Sequence, residues 1–196
     1  MRHLFTWRLL LATTLLSLLT ACAHPIGIGP IETPTRNEAG LSPKKVAYVM
    51  TDADRAKEVI TPGGGGDKVS YFPYRDLEKA IRDALRAVYS DVFVIQSPSD
   101  AEAIRTFGVS HVYTPEISTT SESPSLFTWP PTKFGIELSC KVTDATGQPV
   151  TEVKAQAQGA AEFSEFMKDF GLAGRRAATL VSEQLKQAIL ADPKLR

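Results

Sequence analysis

The stretch TPGGGGDKVS, Thr61 to Ser70, places four consecutive glycines, Gly63–Gly66, before an acid and a lysine. Backbone amides without side chains can cradle a phosphate, so the first chemistry to test is nucleotide binding. The P-loop needs a glycine, four residues, then Gly-Lys-Ser/Thr. Here Lys68 follows Asp67 and precedes Val69, so neither neighbour fits. A dinucleotide fingerprint begun at Gly63 would put its third glycine at Lys68, and a strand is expected before the next helix. Asp67 would also repel a phosphate. The run is therefore expected to be a mobile loop, because four glycines lose the most entropy on ordering. Such a loop can close over a partner, which makes Gly64 and Gly65 candidate contact residues.

Other reactive side chains are sparse. TDADRAK offers Asp52 and Asp54, without the further acids and glycine of an EF-hand. His24 and His111 form no zinc pattern with each other or with cysteine. GVSHV carries Val112 where a nucleophile elbow needs its second glycine. Cys140 lies in KFGIELSCKVTD, where Phe134, Ile136, Leu138, Cys140 and Val142 alternate with Gly135, Glu137, Ser139, Lys141 and Thr143. That period of two places the thiol on the buried face of a strand. No constellation points to catalysis, a metal or a cofactor, so a non-enzymatic protein is expected. A cleft collecting Asp52, Asp54 and His111 would reverse that reading.

The start of the chain carries the most specific pattern. Arg2 and Arg8 flank a basic region without acids, and Leu9 to Leu19 is apolar except for Thr13, Thr14 and Ser17. The run is too short to span a bilayer, which takes about 20 apolar residues, and has the form of a secretory signal. It ends Leu19-Thr20-Ala21-Cys22, which resembles the lipobox of bacterial lipoproteins. The resemblance implies cleavage between Ala21 and Cys22, a diacylglyceryl group on the Cys22 thiol, and usually a third acyl chain on the new amino terminus. Two or more chains give stable membrane attachment. Ala23 stands where an aspartate would mark inner-membrane retention in such lipoproteins. The expected place is therefore the outer membrane, facing the periplasm. Cys140 is then left without a disulfide partner. Loss of Arg2 and Arg8 leaves 20 basic side chains against 22 acidic ones. A near-neutral chain without a basic block argues against nucleic acid as a partner.

Three segments follow: a signal peptide, 1–21; the lipidated cysteine with a Pro/Gly-rich tether, 22–43; and one domain, 44–192. The tether contains Pro25, Pro30, Pro34 and Pro43 and lacks either periodicity, so irregular structure is expected. As a flexible coil its roughly 20 residues would reach about 25 Å. PIGIGPIETP is its mildly apolar part, able to dock on a partner or on the domain itself.

The domain must then position whatever acts. KKVAYVM reads as a strand, and another is expected near Lys68 to Phe72. PYRDLEKAIRDALRAVYS is an amphipathic helix, with Leu77, Ala80, Ile81, Ala84, Leu85 and Val88 on one face and Pro73 in the first turn. DVFVIQ is a strand. SDAEAIRTFG begins with a capping box, Ser99 with Glu102, and stops at Gly108. VSHVYTPEIS is a strand, and the Cys140 strand pairs with VTEVKAQAQG across the turn DATGQP. Ala173 to Leu190 is a helix with Ala177, Leu180, Val181, Gln184, Leu185, Ala188 and Ile189 on one face. The order β-α-β-α-β-β-β-α predicts an α+β fold, a mixed sheet with two main helices packed on one face.

SLFTWPP, Ser125 to Pro131, places Phe127 and Trp129 on a loop between polar segments. Aromatic anchors of this kind mark binding surfaces and membrane interfaces, or cap the domain's own core. In element order, with the lipobox, the Pro-rich segment and Asp54-Arg55, the chain resembles small envelope lipoproteins of the YajG kind. That resemblance implies an anticodon-binding-like sandwich, as in the amino-terminal domain of TolB, broadly like LptE. Two functions are expected: binding or scaffolding of a protein partner in an envelope assembly, or carriage of lipid or lipopolysaccharide.

Overall fold

In each long strand, alternation decides which side faces the helices. A computed structural model describes residues 23–124 and 129–196; the lipobox Leu19–Cys22 and Phe127 lie outside them. Among the described residues no helix is long and apolar enough to cross a membrane. The main sheet has five strands: β2 (Ser42–Val49), β5 (Tyr89–Ile95), β6 (His111–Glu122), β7 (Lys133–Asp144) and β8 (Pro149–Ala160). Their order is β5-β2-β6-β7-β8. The first three run parallel and the last two antiparallel. A parallel pair needs a crossover, and two helices supply it: α2 (Pro73–Arg86) before β5 and α3 (Ala101–Phe107) before β6. A two-residue strand, β1 (His24–Pro25), joins β3 (Val59–Pro62) and β4 (Lys68–Tyr71) in a small second sheet, ordered β1-β4-β3. The remaining helices are α1 (Asp52–Arg55), α4 (Phe163–Phe166) and α5 (Leu172–Ala191).

The fold is α+β, with α2 and α5 packed on one face of the mixed sheet. Tyr48 of β2, Tyr113 of β6, Phe134 to Val142 of β7 in alternation, and Val153 and Ala155 of β8 pack beneath Leu77, Ile81 and Leu85 of α2 and Ala177, Val181 and Leu185 of α5. At its parallel end the sheet is covered on the other face too. There Ala47, Val49 and Val112 meet Ile104 of α3, and Phe93 stacks on Phe107 at 4.5 Å. Sheets with parallel strands are commonly buried on both faces.

Three local expectations are corrected. The cap of α3 is Asp100, whose Oδ1 accepts from Ala103 N at 3.0 Å, while Ser99 bonds Ser97. Aspartate competes well with serine for this place. Leu180 is exposed, and Ser182 is fully buried instead, donating to the Ala80 carbonyl at 2.7 Å. The cause is that α5 packs against both the sheet and α2, so its buried face turns toward α2.

The third correction concerns the tether, 22–43. From Ala23 onward it is part of the domain. Ile26 and Ile28 are core residues, Ile28 with no exposed surface. The Ile26 amide donates to Ser70 O at 2.9 Å and the Ile31 amide to Thr179 Oγ1 at 3.0 Å. Gly171 and Gly174 of the α5 start leave room for this strap: a Cβ on Gly171 would lie 2.0 Å from Gly27 O, and one on Gly174 2.5 Å from Ile28 Cγ2. Arg36 fastens the far end to the carbonyls of Arg86 and Tyr89. Apolar residues at every second position let an extended, proline-rich segment bury one edge without forming a helix.

Candidate functional site

Four segments distant in sequence converge at the start of the described chain. They are β1, the β3–β4 turn, the loop leading into β7, and the α4 segment. At the turn, Gly63 N donates to Asp67 O at 2.8 Å and Asp67 N to Gly64 O at 3.1 Å. Gly65 and Gly66 have φ of 67° and 86°, values that L side chains rarely adopt. The Gly64 amide donates to Trp129 O at 3.0 Å, and a Cβ on Gly63 would lie 2.4 Å from that oxygen. The glycine run is therefore a clamped hairpin turn that lets Trp129 approach its backbone. That corrects the mobile-loop expectation, and it withdraws the buried Gly64 from contact while leaving Gly65 at the surface.

Trp129 is half-buried between two rings. His24 stacks on it with centroids 4.1 Å apart, and Phe170 packs at 4.6 Å. His24 Nε2 also lies 3.6 Å from Asp67 Oδ2, which ties β1 to the glycine turn. Beyond Trp129, Pro130 and Pro131 are buried, and Ala161 N donates to Thr132 O at 2.9 Å. That bond brings the α4 segment alongside. Its Phe166 is buried, whereas Phe163, Met167 and Phe170 are exposed. The sequence reading missed this apolar segment because FSEFMKDF is too short for a periodicity to stand out. The signal available was the spacing of Phe163 and Met167, four apart and so on one side of a turn.

The residues considered for catalysis are dispersed into structural roles. Asp54 caps α1 reciprocally with Thr51 and pairs with Lys57 at 2.6 Å. Asp52 pairs with Arg55 at 3.0 Å. Arg55 forks onto Glu78 of α2 through Nε at 2.8 Å and Nη2 at 2.7 Å, and Tyr48 donates to the same carboxylate at 3.1 Å. The bonds from Arg55 hold the Glu78 carboxyl below its ordinary pKa. His111 sits at the opposite end of β6 from the glycine turn, with Nδ1 3.2 Å from Ser110 Oγ. Burial, with Lys44 nearby, favours its neutral ring. No hydrogen bond or ion pair joins it to Asp52 or Asp54 among the described residues. Cys140 is wholly buried, and burial pushes its thiol up to about 12. It is a core side chain held as the unreactive thiol. Among the described residues no group of three or more His, Cys, Asp or Glu side chains could hold a metal.

Strands β6, β7 and β8 border an open hollow of about 810 Å³, lined by Glu116, Ser118, Glu137, Ser139, Glu152 and Lys154, together with Tyr74 of α2 and Gln184 of α5. Its lining is mixed: Ile117, Leu138 and Ala155 stand beside charged side chains, with Lys154 on Glu152 at 3.1 Å and, next to the hollow, Lys141 on Glu116 at 2.6 Å. Between the sheet and the helices, where a lipid carrier would need an apolar cavity, Tyr71, Phe134, Leu138, Leu77 and Leu185 are packed in the core.

The chain is thus an α+β protein in which one short exposed apolar segment, Phe163 to Phe170, is joined through Trp129 to the start of the described chain. No protein-family model matches it, and no curated relative was found. Among solved structures it is similar to protein XCC0632 from Xanthomonas campestris, of family DUF330, at 11% identity and a TM-score of 0.49, covering 84% of this chain and 90% of that one. It is similar to PelC, a dodecamer from Paraburkholderia phytofirmans, at 14% identity and a TM-score of 0.47, covering 78% and 94%. A putative lipoprotein from Caulobacter crescentus CB15 matches at 12% identity and a TM-score of 0.36, covering 76% and 89%.

Proposed function

We propose that this chain is a lipid-anchored protein of the bacterial cell envelope, acting by binding or scaffolding and not by catalysis. The observation that carries the reading is Leu19-Thr20-Ala21-Cys22 behind a short basic and apolar leader. Acyl chains on Cys22 supply the attachment to the membrane, and Ala23 in place of aspartate favours the outer membrane, facing the periplasm. The structural duties of Asp52, Asp54, His111 and Cys140 support a non-enzymatic role. A protein partner in an envelope assembly is the favoured partner class. The carrier alternative lacks support from the apolar interior, which is occupied by the domain's own side chains.

The test is fractionation and in-cell crosslinking of the tagged protein beside Cys22→Ala. The wild type is expected in the membrane fraction with a dominant protein crosslink, and the variant unprocessed or soluble. A processed Cys22→Ala protein that still sediments with membranes would overturn the anchor. Co-purifying lipid with no protein partner would move the function to the carrier class.

A further inference from the structure

We propose that Phe163, Met167 and Phe170, together with Trp129, form a membrane-contact patch that seats the domain directly on the bilayer bearing its lipid anchor. This rests on the acylation of Cys22 proposed above. Three observations place the patch. First, Phe163, Met167 and Phe170 are 59%, 58% and 43% exposed, although each is a large apolar side chain. They fall within eight consecutive residues, whereas the other exposed large apolar residues described, Ile31, Ile60, Val94 and Leu180, are spread along the chain. Second, the patch is joined to the emerging chain by direct contact: Phe170 packs on Trp129, Trp129 stacks on His24, and Gly171 lies against Gly27. Third, Cys22 is two residues before His24, and two residues of chain reach about 7 Å at most.

The third point decides between a bilayer and a protein as the occupant. A long flexible tether would let the domain stand away from the membrane, and the patch could face any partner. Here the strap from Ala23 to Gly40 is fixed to the domain, with Ile26 and Ile28 in the core. Only the link between Cys22 and His24 remains between anchor and fold. Acyl chains on Cys22 therefore enter the membrane next to these rings, and turning the patch away from the surface is restricted by covalent geometry. Phenylalanine and methionine beside a half-buried tryptophan suit the boundary between acyl chains and headgroups, where apolar faces sink about 5–10 Å. Lys168, exposed between Met167 and Asp169, adds a cation at headgroup level.

The processed chain lends itself to a direct test, because cleavage before Cys22 removes Trp7 and leaves Trp129 as its one tryptophan. The acylated full chain is reconstituted in vesicles of phosphatidylethanolamine and phosphatidylglycerol containing a brominated phosphatidylcholine, and Trp129 emission is compared with that in unbrominated vesicles. The mass of the Cys22 peptide is measured on the same sample. We expect emission to fall at least roughly two-fold with bromolipid, since quenching needs the ring at the depth such faces reach. Phe163→Ser with Met167→Ser, both exposed positions, should remove most of that quenching while acylation, vesicle recovery and melting temperature stay the same. Unquenched emission from acylated, vesicle-bound wild-type protein would overturn the patch and leave the anchor standing. An unmodified Cys22 would overturn the anchor and the patch with it.

Discussion

Gly63 shows how far one residue's role depends on its neighbour. Four glycines in a row suggest freedom, yet Gly63 and Gly64 meet the backbone of Trp129, sixty-odd residues away in sequence, and Gly66 occupies a left-handed conformation. Gly63→Ala should therefore destabilise the fold by about 1–3 kcal/mol, the usual range for overpacking against an unyielding neighbour. Gly66→Ala should cost about 1–2 kcal/mol through its φ alone. Gly27→Ala is the control, since a Cβ there meets nothing within 4 Å. Equilibrium urea denaturation of the three variants checks this; equal stability for all of them would mean the turn is not clamped. Nothing in TPGGGGDKVS announces the contact, because the Trp129 carbonyl is set by the fold and not by local spacing. Cys140 is the opposite case. Its alternating strand predicted burial, and the thiol is buried.

At the scale of elements, long amphipathic segments were the legible ones. The helix from Pro73 and the helix near Ala173 stand where their periodicity places them, and Gly108 ends α3 with φ of 67°. The short elements were not legible. The two residues of β1 and the four of β3 are too few to show a period, and Pro62 argues against a strand until it is seen on an edge. The N-terminal strap was read as a tether for the same reason: Ile26 and Ile28 are only two apolar positions among prolines and glycines. Its place in the core has a measurable consequence. Ile28→Ala should destabilise the whole domain by about 2–5 kcal/mol, as for other fully buried aliphatic side chains. A free tether would tolerate the change. A chemical denaturation midpoint equal to wild type would contradict the strap's part in the core.

At the scale of the whole molecule, the proposed anchor would set one end of the domain toward the bilayer. The start of the described chain, the glycine turn, Trp129 and the exposed α4 segment share one end, and His111 lies at the other end of β6. Of the candidate contacts read from the sequence, Trp129 and Gly65 reach this end's surface in part or in full, and Gly64 is internal. The α4 apolar residues were not legible beforehand, because exposure is a property of the assembled surface. The account stands on the chemistry of one atom, the Cys22 sulfur. The most direct measurement is intact and N-terminal peptide mass spectrometry of the protein isolated from its own membranes. The account predicts a chain that begins at Cys22, with a diacylglyceryl thioether and an acylated amino terminus. A mature chain beginning elsewhere, or a free thiol at Cys22, would contradict it.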